Sequence, residues 1–284
     1  MTGIVNAMTV DVEDYFQVSA FDGVVARDTW DRLESRVCAN TDRLLAIFEE
    51  HGVTATFFIL GWVAERFPAL VSQIAAGGHE VASHGYAHRL IYDQTRAAFR
   101  DDVRRAKDIL ETATGKRVEG YRAPSYSITA QSLWALDVLV AEGYRYDASI
   151  FPIRHDRYGI PGSPRHPHVL QRGAGALVEA PGSTVCIAGL NVPVAGGGYF
   201  RLLPYGWTRW GMARLNTRER RPAIFYLHPW EIDPAQPRLA AGRLSRFRHY
   251  RNLEKTEGRL RRLLGDFQFA PLREILAGVG EEGR

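Results

Sequence analysis

The sequence has few cysteines and no long apolar run. Its 284 residues include two cysteines, Cys38 and Cys186, which lie far apart and belong to no ligand motif. They therefore argue against a disulfide framework and against a cysteine-based zinc site. No apolar stretch approaches the length of a transmembrane helix, and the N-terminus lacks the basic and apolar segments of a signal peptide. These absences predict a cytoplasmic protein.

The excess of one sign of charge is also small, because the net charge is only +4. Much of the basic excess comes from arginines between Arg243 and Arg262. A solvated helix face explains this cluster best, since no nucleic-acid-binding motif accompanies it, and we expect no nucleic-acid partner. Attraction to an anionic glycan or to a membrane surface stays compatible with the cluster.

What the sequence does contain is an alternation of apolar strands and amphipathic helices up to about residue 150. Glycine or proline punctuates most of these segments. This alternation indicates a parallel sheet, either open or closed as a barrel. The predicted strands are 7–12, 54–60, 79–82, 118–121, 144–147, 185–194 and 223–228. The predicted helices are 29–51, 62–76 (divided at Pro68), 95–114 and 129–142.

The rest of the chain is predicted to complete one domain covering residues 1–284. Proline and glycine are dense at about 154–200, which predicts an irregular, solvent-facing insertion. A helical region is expected at about 243–280. The histidines of the insertion have no ligand spacing, so they predict no second metal site.

Polar residues follow several of the predicted strands at the point where each strand ends. Asp11, Glu13 and Asp14 follow the first strand, and His84 and His88 follow the strand that ends near residue 83. A helix starting at Ser83 would place both imidazoles on one face, where they could share a metal ion. Because the carboxyl ends of parallel strands meet at one edge, we expect one active site there. The other strand-end residues of this set are Arg122, Asp147 and His228.

These residues resemble, in order, the five motifs of the polysaccharide deacetylase family, which is carbohydrate esterase family 4 and includes NodB-like proteins. The resemblance covers residues 9–228. The matching segments are Thr9 to Asp14, Ser83 to His88, Arg122 to Tyr126, Asp147, and Leu227 with His228. The Asp-Val-Glu-Asp-Tyr-Phe opening and the Gly-Gly-Tyr-Phe-Arg segment further resemble the branch found with bacterial exopolysaccharide and PEP-CTERM/exosortase loci.

The resemblance implies an α/β fold, a distorted (β/α)7-type barrel, with a divalent metal in its active site. Zn²⁺ is the preferred ion, with Co²⁺ or Ni²⁺ as alternatives. His84 and His88 would be metal ligands together with one acid. The family has two adjacent aspartates at this point, whereas this chain has Asp11-Val12-Glu13-Asp14. The third ligand is therefore either Asp14 or Glu13, and Asp14 is preferred because a short acid is usual in the family.

The resemblance also implies a reaction, namely hydrolysis of N-acetyl groups on an N-acetylhexosamine-containing polysaccharide with release of acetate. The glycan would be an exopolysaccharide or a chitin-like or peptidoglycan-like chain. Asp11 would be the base, held by Arg122, and His228 the general acid, tuned by Asp147. The expected substrate-binding residues are Ser125, Tyr126, Tyr199, Phe200 and Trp230, and a backbone N–H near Ser125 or Tyr126 would stabilise the oxyanion.

Two other functions compete with this interpretation. One is an amidohydrolase acting on a small cyclic amide or ureide, and retention of both histidines argues against it. The other is a catalytically inactive carbohydrate-binding relative, which the presence of Asp11 and His228 disfavours.

Overall fold

A nine-stranded sheet forms the centre of the fold in the computed structural model, which describes residues 3–173 and 175–279. The strands are β1 (Val5–Val12), β2 (Thr56–Ile59), β3 (Glu80–Ser83), β4 (Gly120–Tyr121), β5 (Tyr146–Asp147), β6 (His168–Arg172), β7 (Gly175–Glu179), β8 (Thr184–Ile187), β9 (Leu190–Pro193), β10 (Ile224–Leu227) and β11 (Gln268–Ala270). Strands β8 and β9 form a separate antiparallel hairpin.

Seven parallel strands of this sheet follow the order β10-β1-β2-β3-β4-β5-β7. Strand β6 adds an antiparallel edge to β7, and β11 pairs in parallel with the start of β1. The chain after β7 approaches β10, because the backbone N–H of Ile224 donates a hydrogen bond to Ser183 Oγ at 2.7 Å. The predicted parallel sheet and the distorted (β/α)7-type barrel are confirmed.

Helices connect the parallel strands and cover the outside of the sheet. They are α1 (Val37–Glu50), α2 (Gly61–Arg66), α3 (Pro68–Ala76), α4 (Arg96–Thr114), α5 (Trp134–Ala141), α6 (Gly197–Leu202), α7 (Tyr205–Arg214), α8 (Arg243–Tyr250), α9 (Leu253–Asp266) and α10 (Leu272–Leu276). No helix in the described part of the chain has both the length and the apolar character needed to cross a bilayer.

Helix α4 shows why local sequence predicts these elements well. Thr95 accepts a hydrogen bond from the N–H of Ala98 at its start, and Gly115 ends it with a left-handed φ of 65°. Its apolar stripe, including Phe99 and Leu110, is buried against the sheet. The predicted division at Pro68 is also confirmed, since α2 ends at Arg66 and α3 begins at Pro68.

Three expected elements outside the active site differ from the structure, and the first is the helix over 129–142, which begins only at Trp134. The helix predicted over 29–51 begins only at Val37, because Arg27–Arg32 form a separate 3₁₀ turn. The segment at about 154–200 is not irregular. It contains β6 to β9 and most of α6, and β7 is a full member of the parallel sheet. The strand predicted at 185–194 is the hairpin of β8 and β9, whereas turn residues surround β6 and β7 and mask them in the sequence.

Candidate active site

Five polar side chains from three strand ends line one cavity of about 440 Å³. Asp11 and Glu13 extend from the end of β1, His84 and His88 follow β3, and His228 follows β10. Strand pairing brings these ends together, because β1 lies between β10 and β2 and β3 comes next. The strand-end rule therefore predicts the location of the cavity.

Glu13, His84 and His88 form a buried cluster whose potential ligand atoms all lie within 4.8 Å of one another. Glu13 Oε2 is 2.7 Å from His88 Nε2. His84 Nδ1 lies 2.7 Å from the carbonyl oxygen of Arg122, which can only accept a hydrogen bond. That contact protonates Nδ1 and leaves the Nε2 lone pair of His84 free to bind a metal.

The donor set of this cluster fits a divalent ion. Two imidazoles and one carboxylate are a ligand set used by catalytic zinc sites that keep a position open for water or substrate. His88 Nδ1 is buried without a hydrogen-bond partner among the described residues. The polar contact of this ring is therefore the one that its Nε2 makes with Glu13, inside the cluster. Burial alone would raise the pKa of Glu13, but the imidazole of His88 and then those of His228 and His84 lower it to about 2. Glu13 is therefore a carboxylate, as a ligand must be.

The two histidines converge through a loop, and the helix expected to start at Ser83 is absent. Gly85 has a φ of 73° and His88 a φ of 49°, both in the left-handed region. Asp102 in α4 fixes this turn by accepting a hydrogen bond from the N–H of Tyr86 at 2.8 Å. A non-glycine residue held at positive φ is strained, and such strain is often found at functional sites.

The preference for Asp14 as the third ligand is wrong, because its carboxylate points away from the cluster. Asp14 Oδ2 accepts hydrogen bonds from Ser35 Oγ at 2.6 Å, from Arg36 N at 2.9 Å and from Val37 N at 3.2 Å. It therefore binds the N-terminus of α1. Alternate residues of an extended chain point the same way, so Glu13 shares the cavity face with Asp11, and Asp14 faces the opposite side.

Asp11 is held by a buried guanidinium. Arg122 Nη1 lies 2.6 Å from Asp11 Oδ1 and 2.8 Å from Thr9 Oγ1, and its Nε donates to the carbonyl oxygen of Ala148 at 3.2 Å. Arg122 is 1% exposed, so little water screens this charge-assisted pair. The free oxygen, Asp11 Oδ2, lies 3.9 Å from His228 Nε2. The arrangement orients one carboxylate oxygen towards the cavity as a proton acceptor.

His228 belongs to a second charge chain, which sequence reasoning did not identify. Its Nδ1 lies 2.6 Å from Glu231 Oε1, and Glu231 Oε2 lies 2.5 Å from Arg201 Nε. Burial opposes protonation of His228, but the hydrogen bond to Glu231 and the charges of Glu13 and Glu231 raise its pKa to about 9. A protonated imidazole that faces the cavity can donate a proton there. In the sequence Glu231 follows His228 at the third position, and this short spacing is the signal that could have identified the pair.

Asp147 does not contact His228, so its predicted tuning role is wrong and Glu231 takes that place. Asp147 is fully buried in β5, where its Oδ1 accepts a hydrogen bond from Ser149 Oγ at 2.5 Å. It lies in register with Glu179 of β7. Burial raises the pKa of Asp147 to about 6 and that of Glu179 well above its ordinary value. The two acids belong to the sheet interior.

Four of the five residues expected to bind substrate line the cavity, namely Ser125, Tyr126, Tyr199 and Trp230. Phe200 does not, because it is 1% exposed and packs edge-on against Phe225 in the core. Neighbouring residues on a helix point about 100° apart, which separates Phe200 from Tyr199.

The contacts of three of these residues bear on their expected roles. Trp230 stacks on His228 and donates its indole N–H to Glu13 Oε1 at 3.2 Å. The backbone N–H of Tyr126 donates to the carbonyl oxygen of Ala123 at 3.1 Å, so this group is already engaged. Ser125, with a φ of 52°, is the other residue named for the oxyanion contact.

Comparisons with known families match two consecutive parts of the chain. The model for polysaccharide deacetylase matches residues 26–146, and a model described as a domain of unknown function (DUF3473) matches residues 148–277. His84 and Arg122 fall in the first part, and Arg201, His228 and Glu231 fall in the second. Both matched parts therefore contribute side chains to the same site.

Curated relatives are similar over part of their length. A peptidoglycan deacetylase of Helicobacter pylori is 32% identical over 108 residues, which are 38% of this chain and 36% of that protein. A peptidoglycan-N-acetylglucosamine deacetylase of Bacillus cereus is 33% identical over 98 residues, 34% of this chain and 36% of that protein. A chitooligosaccharide deacetylase of Sinorhizobium fredii is 36% identical over 100 residues, 35% of this chain and 44% of that protein. The match spans less than half the length of each relative.

Solved structures match this chain as well, and the match to one of them covers nearly the whole chain. It is a protein from Mycobacterium smegmatis that was solved as a candidate polysaccharide deacetylase. The TM-score is 0.62 at 23% sequence identity, and the match covers 97% of this chain and 90% of that one. This likeness shows the fold.

Proposed function

We propose that this chain, which belongs to the polysaccharide deacetylase family, hydrolyses the N-acetyl groups of an N-acetylhexosamine-containing glycan and releases acetate. One observation carries the proposal. A buried Glu13–His84–His88 cluster shares a cavity with the Asp11–Arg122 pair and the His228–Glu231 pair. Metal ligands, a base and an acid are thus all present, which is the set that metal-assisted amide hydrolysis requires.

Glu13, His84 and His88 would hold the divalent ion, and we favour Zn²⁺ because of the two imidazole ligands. When bound, such an ion polarises the amide carbonyl and lowers the pKa of water. The hydrogen bond between His84 Nδ1 and the Arg122 carbonyl orients that ring for binding.

The protons of the reaction are moved by the residues of the chain. Asp11 accepts a proton from the attacking water, and Arg122 keeps the carboxylate oriented while it does so. The water oxygen forms a bond to the acetyl carbon, and the bond from that carbon to nitrogen breaks. His228, held by Glu231, gives its proton to the departing nitrogen. The products are acetate and a sugar with a free amine.

Within this substrate class we favour an exopolysaccharide chain. The support is the Asp-Val-Glu-Asp-Tyr-Phe opening and the Gly-Gly-Tyr-Phe-Arg segment, which resemble the exopolysaccharide-locus branch. The relatives named above are peptidoglycan and chitooligosaccharide deacetylases, so N-acetylglucosamine polymers are the proper first test. The names of these relatives give no support to a small cyclic amide as the substrate.

The test combines acetate release from N-acetylglucosamine oligomers with metal analysis of the purified protein. We expect acetate release that is lost with a chelator and restored by added Zn²⁺. His84→Ala and His88→Ala should lose both metal and activity, whereas Asp11→Asn should retain metal and lose turnover. Full activity and full metal content in both histidine variants would disprove the assignment.

A further inference from the structure

Two arginines at the rim of the cavity have no carboxylate partner among the described residues. Arg157 and Arg248 both line the cavity and both are exposed. The nearest acid in sequence, Asp156, contacts His155 Nδ1 at 2.9 Å. Asp22, three residues after Ser19, contacts Arg27 at 3.2 Å. Both guanidinium groups are therefore available to a ligand.

The other charged groups that line the cavity have partners within the protein. Asp11 pairs with Arg122, and Arg201 and His228 share Glu231. Glu13 belongs to the proposed metal cluster, where a divalent ion would offset its charge. At the exposed rim, Arg157 and Arg248 therefore add positive charge that no carboxylate of the described residues offsets.

The backbone of Arg248 is fixed to the catalytic side of the cavity. Arg201 Nη1 donates a hydrogen bond to the Arg248 carbonyl oxygen at 2.8 Å, and the same guanidinium binds Glu231, the partner of His228. Arg157 is fixed more loosely, with its Nη2 3.5 Å from the Ser19 carbonyl oxygen. The backbone of Arg248 therefore has a fixed position next to the Arg201–Glu231–His228 chain, and Arg157 lies on the part of the rim formed by Ser19.

An aromatic wall accompanies the two arginines. His155 stacks on Tyr158 at a ring distance of 3.9 Å, and the Tyr158 and Tyr199 hydroxyls are 3.0 Å apart. Burial first, and then Arg248 and Arg157, lower the pKa of His155 despite the opposing effect of Asp156. Both guanidinium groups thus lie close enough to the aromatic wall for their charge to affect His155. A sugar ring could pack on this wall beside them.

We infer that Arg157 and Arg248 form a subsite for a carboxylate on the glycan, so that the preferred substrate is an acidic N-acetylated polysaccharide. This inference rests on the proposed function and specifies its substrate class. Guanidinium groups suit this role because their planar donors bind carboxylates in pairs and stay charged at any physiological pH. A neutral glycan would leave both arginines solvated and would gain nothing from them.

The experiment compares two hexasaccharides that differ only in the acid. One alternates N-acetylglucosamine with glucuronate, and the other is the same chain with its carboxyl groups reduced to alcohols. For the wild type we expect a KM for the acidic chain that is lower by roughly five- to tenfold, the value for two exposed ion pairs. The preference should shrink at about 0.5 M salt, because screening weakens exposed pairs.

Substitutions then assign the preference to the two residues. Arg157→Gln and Arg248→Gln should each reduce the preference, and the double variant should abolish it while leaving kcat/KM for the reduced chain unchanged. Arg248→Lys should retain part of the effect, because it keeps the charge but not the planar donors. Arg243→Gln is the matched control, since Arg243 is exposed on the same helix α8 but does not line the cavity.

The outcomes separate the two proposals. Equal KM values for the two sugars in the wild type, or a preference that survives in the double variant, would overturn the carboxylate subsite and leave the deacetylase function intact. Absence of acetate release from both sugars would overturn the proposed function. Calorimetric binding of the two sugars to metal-free protein still tests the subsite in that case, and equal binding would refute it.

Discussion

Glu13 and Asp14 are adjacent acids that should respond to substitution in opposite ways. Glu13→Gln removes the only carboxylate of the Glu13–His84–His88 cluster. Loss of a group that merely orients a ligand costs about 10- to 100-fold in metal affinity, so loss of the ligand itself should cost more than about 100-fold. We expect this variant to contain little metal after dialysis and to release no acetate.

Asp14→Asn should keep the metal and lose stability. The Asp14 carboxylate accepts four hydrogen bonds, from Tyr15 N, Ser35 Oγ, Arg36 N and Val37 N. Asparagine turns one of its two oxygens into a donor, which must face at least one of these donors. Hydrogen bonds to a charged group contribute about 1.5–3 kcal/mol, and the charge at the N-terminus of α1 about 0.3–1 kcal/mol more. The expected loss in the free energy of unfolding is about 2–4 kcal/mol.

The assay measures two quantities on each variant, namely zinc per chain and the urea midpoint of the metal-free protein. Using the metal-free form keeps metal binding from contributing to stability. The reasoning is refuted if Asp14→Asn loses its metal while Glu13→Gln retains it. It is also refuted if Asp14→Asn has the stability of the wild type, because the capping role would then be absent.

Three further substitutions test other parts of the site. Glu231→Gln should lower the raised pKa of His228, so the alkaline limb of the kcat/KM profile should move to lower pH, since a general acid must be protonated. An unmoved alkaline limb would contradict the role of Glu231. Phe200→Ala should lower the free energy of unfolding by about 3–5 kcal/mol without raising KM, because Phe200 is in the core. A raised KM at unchanged stability would restore it as a substrate contact. Burial raises the pKa of Asp147 to about 6, so its contribution to stability is present at low pH and is lost as the pH rises through about 6. Asp147→Asn should remove the part of this loss that comes from Asp147, while Glu179, whose pKa burial also raises, keeps its part. Urea unfolding of both proteins between about pH 4 and 7 measures the difference, and the same pH dependence in both would contradict the prediction.

The fold could be predicted where local signals determine an element. Helix α4 has a capping threonine, a terminating glycine and a regular apolar stripe, and its bounds agree with prediction to within one residue. The strands at about 168–179 could not be found in this way. Their place in the sheet depends on pairing of β7 with β5, about thirty residues earlier in the chain. The turn between His84 and His88 likewise depends on Asp102, a residue of the following helix.

The site shows the same division between what a strand end determines and what distant packing determines. Asp11, His84, Arg122 and His228 could be predicted to approach one another, because parallel strands end at one edge. Choosing between the acids next to them required the direction of each side chain.

Alternation along β1 already favours Glu13 over Asp14, and a preference for the shorter acid led to the wrong ligand. The partner of His228 presents the harder case. Asp147 is at a strand end, as a partner should be, but it lies deep against Glu179. Glu231 reaches the imidazole because the chain turns immediately after β10, and Arg201 from α6 holds it there. The local direction of the chain therefore decides which acid contacts His228 and which acid contacts His88. The order of the motifs along the sequence does not determine these pairs.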